Sequence, residues 1–224
     1  MKLIIQIPAW NEEEQLPETM AAIPSAVEGI DEIEVLVVDD GSTDRTAEVA
    51  REGGAEVIRM PVHRGLAVAF STGLLTALER GADVIVNTDA DNQYDARDVP
   101  ALVQPILDGS AQMVIGDRQV ATLRHFSSMK RLLQKLGSWV VRRLSGTAVR
   151  DATSGFRAIS RAAALQLHVF TRFTYTLETI LQAGEAGLKV VSVPVRVNAG
   201  ERRPSRLFQS DFGYVMRSLA SMAR

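Results

Sequence analysis

The sequence predicts an α/β protein built on a mostly parallel sheet with helices on both faces. Three observations carry that prediction. Short β-rich apolar runs alternate with helix-patterned segments through the first half of the chain. Glycine pairs and capping residues punctuate the alternation. Acidic clusters follow three of the strand-like runs, at the carboxyl ends where parallel sheets bind their ligands.

In chain order, strands are expected at Leu3–Ile7, Glu34–Val38, Glu56–Arg59, Asp83–Asn87 and Gln112–Ile115. Each is a short run rich in Val and Ile. Helices are expected near Glu13–Val27, Thr43–Glu52, Leu66–Arg80 and Arg97–Asp108. Ser42-Thr43-Asp44 supplies a helix start, and Gly53-Gly54 and Gly81 supply stops. After Ile115 the alternation loosens. Phe126–Leu144 carries Phe126, Met129, Leu132, Leu133, Leu136, Trp139, Val140 and Leu144 in a helical stripe with basic residues on the other side. Two readings of that stripe stay open: a core-packing helix, or a helix lying on an anionic membrane surface.

Composition bounds the rest. The 224 residues suit one sizeable domain, and 46% hydrophobic with 23% charged content is ordinary for a globular core. With no cysteine, disulfides and thiolate metal sites are excluded. Met1–Ile5 enters a strand rather than a signal peptide, and no apolar run is long enough to span a bilayer, so a cytoplasmic protein is expected. The net charge of -2 conceals a polarity: acids dominate up to Asp117, whereas Arg118–Arg150 holds Arg118, Arg124, Lys130, Arg131, Lys135, Arg142, Arg143 and Arg150 with no acid. The second half therefore calls for an anionic partner.

The chemistry concentrates at the strand ends. Asp89-Ala90-Asp91 follows the run Val84-Ile85-Val86, and carboxylates spaced i, i+2 at a strand tip point to the same side. Mg²⁺ and Mn²⁺ take oxygen ligands and leave positions open to substrate phosphates, so this pair suggests a cation that neutralises a diphosphate. Pro8-Ala9-Trp10-Asn11-Glu12 and Asp39-Asp40-Gly41-Ser42 repeat the placement. A dinucleotide fold is disfavoured because the first turn lacks a glycine-rich loop, and no P-loop motif occurs. An EF-hand fails because Tyr94 and Pro100 stand where its glycine and closing glutamate belong.

Pro8–Glu13, Val38-Asp39-Asp40-Gly41-Ser42-Thr43-Asp44, Asp89–Gln93, Gly116-Asp117-Arg118 and Ser154-Gly155-Phe156-Arg157 together resemble the family 2 glycosyltransferases of the GT-A (Rossmann-like) fold. Within that family they look most like the polyprenyl-phosphate (dolichyl-phosphate) mannose and glucose synthases. The resemblance runs from residue 3 to about residue 207. It implies a GT-A domain over 1–207, with a nucleotide-sugar half at 1–117 and a basic amphipathic acceptor-side half at 118–207. A C-terminal helix at 208–224, leading toward a membrane tail, is the remaining expectation.

The resemblance also assigns roles. Pro8, Ala9, Trp10, Glu12 and Asp39 hold the donor nucleoside, and a carboxylate suits the N–H edge of uracil or guanine. Asp40 either joins them or stabilises the following helix start. Arg64 and Gly65 match a looser segment near the nucleotide. Asp89, Asp91 and Gln93 match the metal site for Mg²⁺ or Mn²⁺, with the Ala90 backbone near the donor. Arg118 holds a phosphate. Ser154, Arg157 and either Arg202 or Arg203 face the acceptor; the usual glycine of that tail motif is replaced by Arg203.

The expected reaction is inverting, metal-dependent transfer of a sugar from a UDP- or GDP-sugar, with Asp91, Arg118 and Glu178 as the catalytic set. A polyprenyl-phosphate acceptor needs no base. A hydroxyl acceptor does, and Glu178 is then the first candidate and Asp151 the second. A silent nucleotide-sugar-binding protein is the reading from another class. A nucleotidyltransferase is disfavoured for want of a glycine-rich phosphate loop. The expected partners are a nucleotide sugar, polyprenyl phosphate and an anionic membrane surface, with no nucleic acid, and the expected location is the inner face of the cell membrane.

Overall fold

The computed structural model describes residues 1–119, 128–170 and 175–198, with backbone only at 128–135. Its strands are β1 (Lys2–Ala9), β2 (Glu32–Asp39), β3 (Glu56–Arg59), β4 (Val84–Asn87), β5 (Met113–Asp117), β6 (Arg157–Ser160) and β7 (Val190–Pro194). They form one sheet in the order β3-β2-β1-β4-β6-β5-β7. Every neighbouring pair is parallel except the two made by β6, which runs antiparallel to β4 and β5.

The five expected strands are all present. β6 and β7 were not anticipated, and both follow from tertiary pairing. β6 is four residues long and begins with an arginine, so it carries no strand pattern of its own. Its register with β4 and β5 pairs Val86 and Val114 with Ala158, and Ile85 and Met113 with Ile159.

Seven helices α1 (Leu16–Ala21), α2 (Thr46–Glu52), α3 (Leu66–Glu79), α4 (Val99–Leu107), α5 (Ser128–Ser145), α6 (Arg161–Ala164) and α7 (Tyr175–Glu185) are among the described elements. α1 is shorter than the expected Glu13–Val27, since Pro17 opens it and the first residues of the span are used to bind the neighbouring loop. α2 starts at Thr46 rather than Thr43, with Asp44 accepting the Thr46 N–H at 3.0 Å.

One core lies on each face of the sheet. Ile4, Leu36, Ile85 and Ile115 meet Phe70, Leu74, Tyr175 and Ile180 of α3 and α7, while Leu3, Ile5, Ile7 and Val86 meet Leu16, Val99, Leu102 and Val103. The alternation along β1 and β4 thus serves two apolar faces, as expected for a strand covered on both sides. At the centre of β1 the buried Gln6 donates to Asn87 Oδ1 at 2.9 Å, and Gly73 of α3 lets that helix close on it: a Cβ there would stand 2.6 Å from Gln6 Oε1.

α5 crosses α7 closely. A Cβ on Gly184 would sit 2.0 Å from the Ser145 carbonyl, so only glycine permits the approach. The buried side of α5 over its described side chains is Ser138, Val141 and Ser145. Leu136, Trp139 and Leu144 instead face outward at 52%, 55% and 61% exposure, and Arg143 is exposed with them. At helical spacing Trp139 and Arg143 share a face, so this basic residue lies beside the apolar stripe and not opposite it. The expected 208–224 helix lies outside the described residues.

Candidate active site

The carboxyl ends of β1, β2 and β4 converge, because all three strands run parallel and adjacent. Each end carries one of the acidic clusters. The loops after β1 and β2 are zipped together: Asn11 N–H donates to Ser42 Oγ at 2.9 Å, Thr43 N–H to Asn11 Oδ1 at 2.8 Å and Glu12 N–H to Thr46 Oγ1 at 2.9 Å. Asn11 takes a positive φ of 54°, a conformation asparagine tolerates better than most residues.

Pro8 and Ala9 are buried at the end of β1, and Trp10 emerges half-buried. Its ring stacks on His63, with centroids 4.0 Å apart at 21°. Asp39 is fully buried; Oδ1 accepts the Ser42 N–H at 2.9 Å and Oδ2 lies 3.3 Å from Arg59 Nε. Asp40 is buried and engaged with the loop after β3. It accepts the N–H groups of Arg64 and Gly65 at 2.7 and 2.8 Å, and His63 Nδ1 lies 2.9 Å from its Oδ2. Asp40 therefore clamps the loop after β3 against the end of β2, beside Trp10. Gly41, at φ +70°, leaves room for that loop, since a Cβ would stand 2.6 Å from His63 N.

The third cluster follows β4. Asp89 is half-buried against the Gly155 backbone, Ala90 is buried with its carbonyl accepting Thr19 Oγ1 at 3.2 Å, and Asp91 is exposed. Asp91 Oδ1 accepts the Gln93 N–H at 3.1 Å, closing a tight turn. Burial, then the negative charge of Asp91, raises the Asp89 carboxyl to about 7; Arg118 and Arg157 only partly offset this, and Glu12 adds to it. Among the described residues, no three His, Asp or Glu side chains are grouped so as to hold a metal ion. Asp89 and Asp91 form an acidic pair whose mutual repulsion an added positive charge would relieve.

Arg118, at the end of β5, is 8% exposed and paired with Asp151, itself 4% exposed, through Nε–Oδ2 at 2.6 Å and Nη2–Oδ1 at 2.9 Å. Nη2 also donates to Thr153 Oγ1 at 2.7 Å, and the guanidinium lies over the Tyr94 ring at 5.9 Å. Burial pushes the Asp151 carboxyl up, but the adjacent Arg118 charge and hydrogen bonds outweigh it and hold the group below the usual range. Tyr94 is pushed up to about 12 by burial, so its hydroxyl stays a neutral donor and acceptor, taking the Gly155 N–H at 3.0 Å.

Ser154 and Arg157, expected on the acceptor side, lie behind the surface. Both are fully buried. Arg157 Nη1 donates to Thr179 Oγ1 at 2.8 Å and to the Thr176 carbonyl at 3.2 Å, Nη2 donates to the Ser154 carbonyl, and the guanidinium lies over the Tyr175 ring at 5.4 Å. This arginine ties β6 to the first turn of α7 beneath Asp89. Glu178 sits on α7 and accepts the Phe170 N–H at 2.9 Å. Arg202 and Arg203 lie outside the described residues.

Residues 4–167 match the family model "Glycosyl transferase family 2". The chain belongs to glycosyl transferase family 2. It is a glycosyltransferase. Its relatives include the undecaprenyl-phosphate mannosyltransferase of Micrococcus luteus, 31% identical over 206 residues, covering 87% of this chain and 83% of that one. The polyprenol monophosphomannose synthase of Mycolicibacterium smegmatis is 29% identical over 231 residues, covering 98% and 86%. Among solved structures, glucosyl-3-phosphoglycerate synthase from Mycobacterium tuberculosis, in complex with Mn²⁺, UDP and phosphoglyceric acid, superposes with a TM-score of 0.75 at 24% identity, covering 98% of this chain and 78% of that one. That likeness establishes the GT-A fold of this glycosyltransferase.

Residues that sequence reasoning missed are Tyr94, His63 and Asn198. Tyr94 follows Gln93 at once, and an aromatic beside a metal-type turn was a usable signal. His63 and Asn198 had none, since their contacts reach across the sheet.

Proposed function

We propose that this glycosyltransferase moves a sugar from a UDP- or GDP-sugar to a polyprenyl phosphate, with inversion at the anomeric carbon. The observation that carries the choice of acceptor is the tight pairing of the candidate base Asp151 with Arg118, which lowers its basicity. Asp151 is locked to Arg118 at 2.6 Å and held in its ionised, weakly basic form, and Glu178 accepts a backbone N–H. A hydroxyl acceptor needs a base to take its proton, whereas a phosphate oxygen is already ionised near neutral pH. The two polyprenyl-phosphate relatives, similar over most of this chain, support the same acceptor.

Trp10, Glu12 and Asp39 would receive the nucleoside, with Asp40 and His63 holding the surrounding loop. Asp89, Asp91 and Gln93 would hold Mg²⁺ or Mn²⁺. Bound there, the cation would neutralise charge on the departing diphosphate. The residues fit it: Asp89, Asp91 and Gln93 offer oxygen donors on one turn, which suits a hard divalent cation, and the repulsion that raises the Asp89 carboxyl is what a cation would relieve. Arg118 would meet a phosphate with its remaining Nη, its plane set in advance by Asp151 and Thr153. Ser154 and Arg157 would shape the floor behind the acceptor, and Arg202 or Arg203 would grip its phosphate.

The outward face of α5 supports docking on an anionic membrane. Trp139, Leu136 and Leu144 would enter the interface, and Arg143 would meet lipid phosphates. No described helix is long and apolar enough to cross a membrane. Purified protein with Mn²⁺ or Mg²⁺, a panel of UDP- and GDP-sugars and polyprenyl phosphate in detergent tests the whole reading. Metal-dependent glycolipid is expected. Donor hydrolysis without glycolipid would overturn the acceptor, and no donor turnover with any sugar would overturn the donor site.

A further inference from the structure

The chain leaving β7 does not simply exit the sheet. It crosses the Asp89–Gln93 loop and pairs with it: Asp95 N–H donates to the Arg196 carbonyl at 3.2 Å, Tyr94 and Val197 form an antiparallel bridge, and Asn198 N–H donates to the Gln93 carbonyl at 3.0 Å. The Asn198 side chain then reaches further. Its Nδ2 donates to the Asn92 carbonyl at 3.0 Å, to Asn92 Oδ1 at 2.9 Å and to the Tyr94 carbonyl at 3.3 Å. Asn92 stands between Asp91 and Gln93 and has a φ of 53°, in the left-handed region that asparagine enters more readily than most L residues but still at a cost to the backbone. A single amide thus closes three acceptors around the left-handed residue of the turn.

We propose that Asn198 is a positioning residue for the acidic turn, holding Asn92 left-handed so that Asp91 and Gln93 face the same ligand. This inference rests on the metal role assigned above to that turn. The geometry explains why a distant residue matters. If Asn92 relaxes to a negative φ, the chain direction changes between Asp91 and Gln93, and their side chains diverge. Arg196 anchors the same strap from the other side, through ion pairs to Asp95 at 3.3 Å and Asp98 at 2.5 Å. Removing the Asn198 amide therefore leaves the strap in place and frees only the turn.

The test is Mn²⁺ binding followed by electron paramagnetic resonance, in the presence of UDP and, separately, of GDP, for the wild type, N198A, N92G and N92G/N198A. Asn198→Ala is expected to weaken Mn²⁺ binding by about tenfold, the worth of hydrogen bonds to a strained backbone. Asn92→Gly alone should weaken binding by less than about threefold, because glycine can adopt the same φ. The double variant should recover to within about threefold of wild type, because glycine enters a positive φ without steric cost. A merely structural Asn198 predicts no such rescue. Equal Mn²⁺ affinity for N198A and wild type would overturn the inference while leaving the metal reading intact, and so would a weakened N198A that Asn92→Gly fails to restore. A wild-type protein that binds no Mn²⁺ with either nucleotide would overturn the metal reading and this inference with it. Thermal melts of all four proteins report folding separately.

Discussion

Asp151→Asn isolates the Arg118 charge inside the protein. The two side chains make a bidentate pair at 2.6 and 2.9 Å, with 8% and 4% exposure, so solvent replaces little of what is lost. Asparagine keeps the shape and can still accept one hydrogen bond, but it cancels the negative charge. Leaving one partner of a buried pair uncompensated costs about 3–5 kcal/mol. For a chain of this size each kcal/mol lowers Tm by about 2–4 °C, which sets the expected drop at roughly 6–20 °C. The effect has a pH signature. Asp151 is held below its ordinary value of 3.8, so its contribution is complete above that pH and disappears as the pH falls through its folded-state value. The difference between variant and wild type should thus be full at pH 7 and shrink below about pH 4. Urea denaturation across pH 3–8 measures it. A loss below about 1 kcal/mol at pH 7, or one independent of pH down to 3, would refute the claim that the charge pair holds Arg118.

Four further outcomes follow from the same geometry. Asp89 has the opposite sign: its carboxyl is raised to about 7, so ionising it opposes folding, and stability of the metal-free protein should fall as pH rises from 4 through 7. Asp89→Asn should remove that slope, read by denaturation in chelator. Gly155→Ala would place a Cβ 2.6 Å from Asp89 Oδ1 and 3.0 Å from the Tyr175 hydroxyl; turnover should drop at least about tenfold, with about 1–3 kcal/mol lost in a melt. Glu178→Gln keeps an acceptor for the Phe170 N–H and should change glycolipid synthesis by less than about threefold, whereas a large loss would restore Glu178 as a base. Leu136→Ser with Trp139→Ser should cut binding to anionic vesicles by more than about tenfold, and Arg143→Glu should matter most at low salt; unchanged sedimentation with vesicles would remove α5 from the membrane contact.

The sequence by itself determined the α/β class, the first five strands and the family. Those signals are local: a β-branched run, a glycine stop, or Asp89-Ala90-Asp91 directly behind Val84-Ile85-Val86 are all visible within a few residues. Parallel strands then bring their carboxyl ends together without further instruction, which is why three acidic clusters far apart in the chain meet at one end of the sheet. Tertiary structure alone decided what each polar group does there. Arg118 and Asp151 are 33 positions apart, Asn92 and Asn198 are 106 apart, and neither pairing leaves a trace in periodicity. The same distance hid β6, whose Arg157 looks solvent-facing in isolation yet is fully enclosed between β6 and α7. On α5, spacing grouped Leu136, Trp139 and Leu144 on one face, but only the close approach to Gly184 of α7 turned Ser138, Val141 and Ser145 inward and those three residues outward. A helical period names a stripe; the direction it faces depends on which side its neighbours can approach most closely.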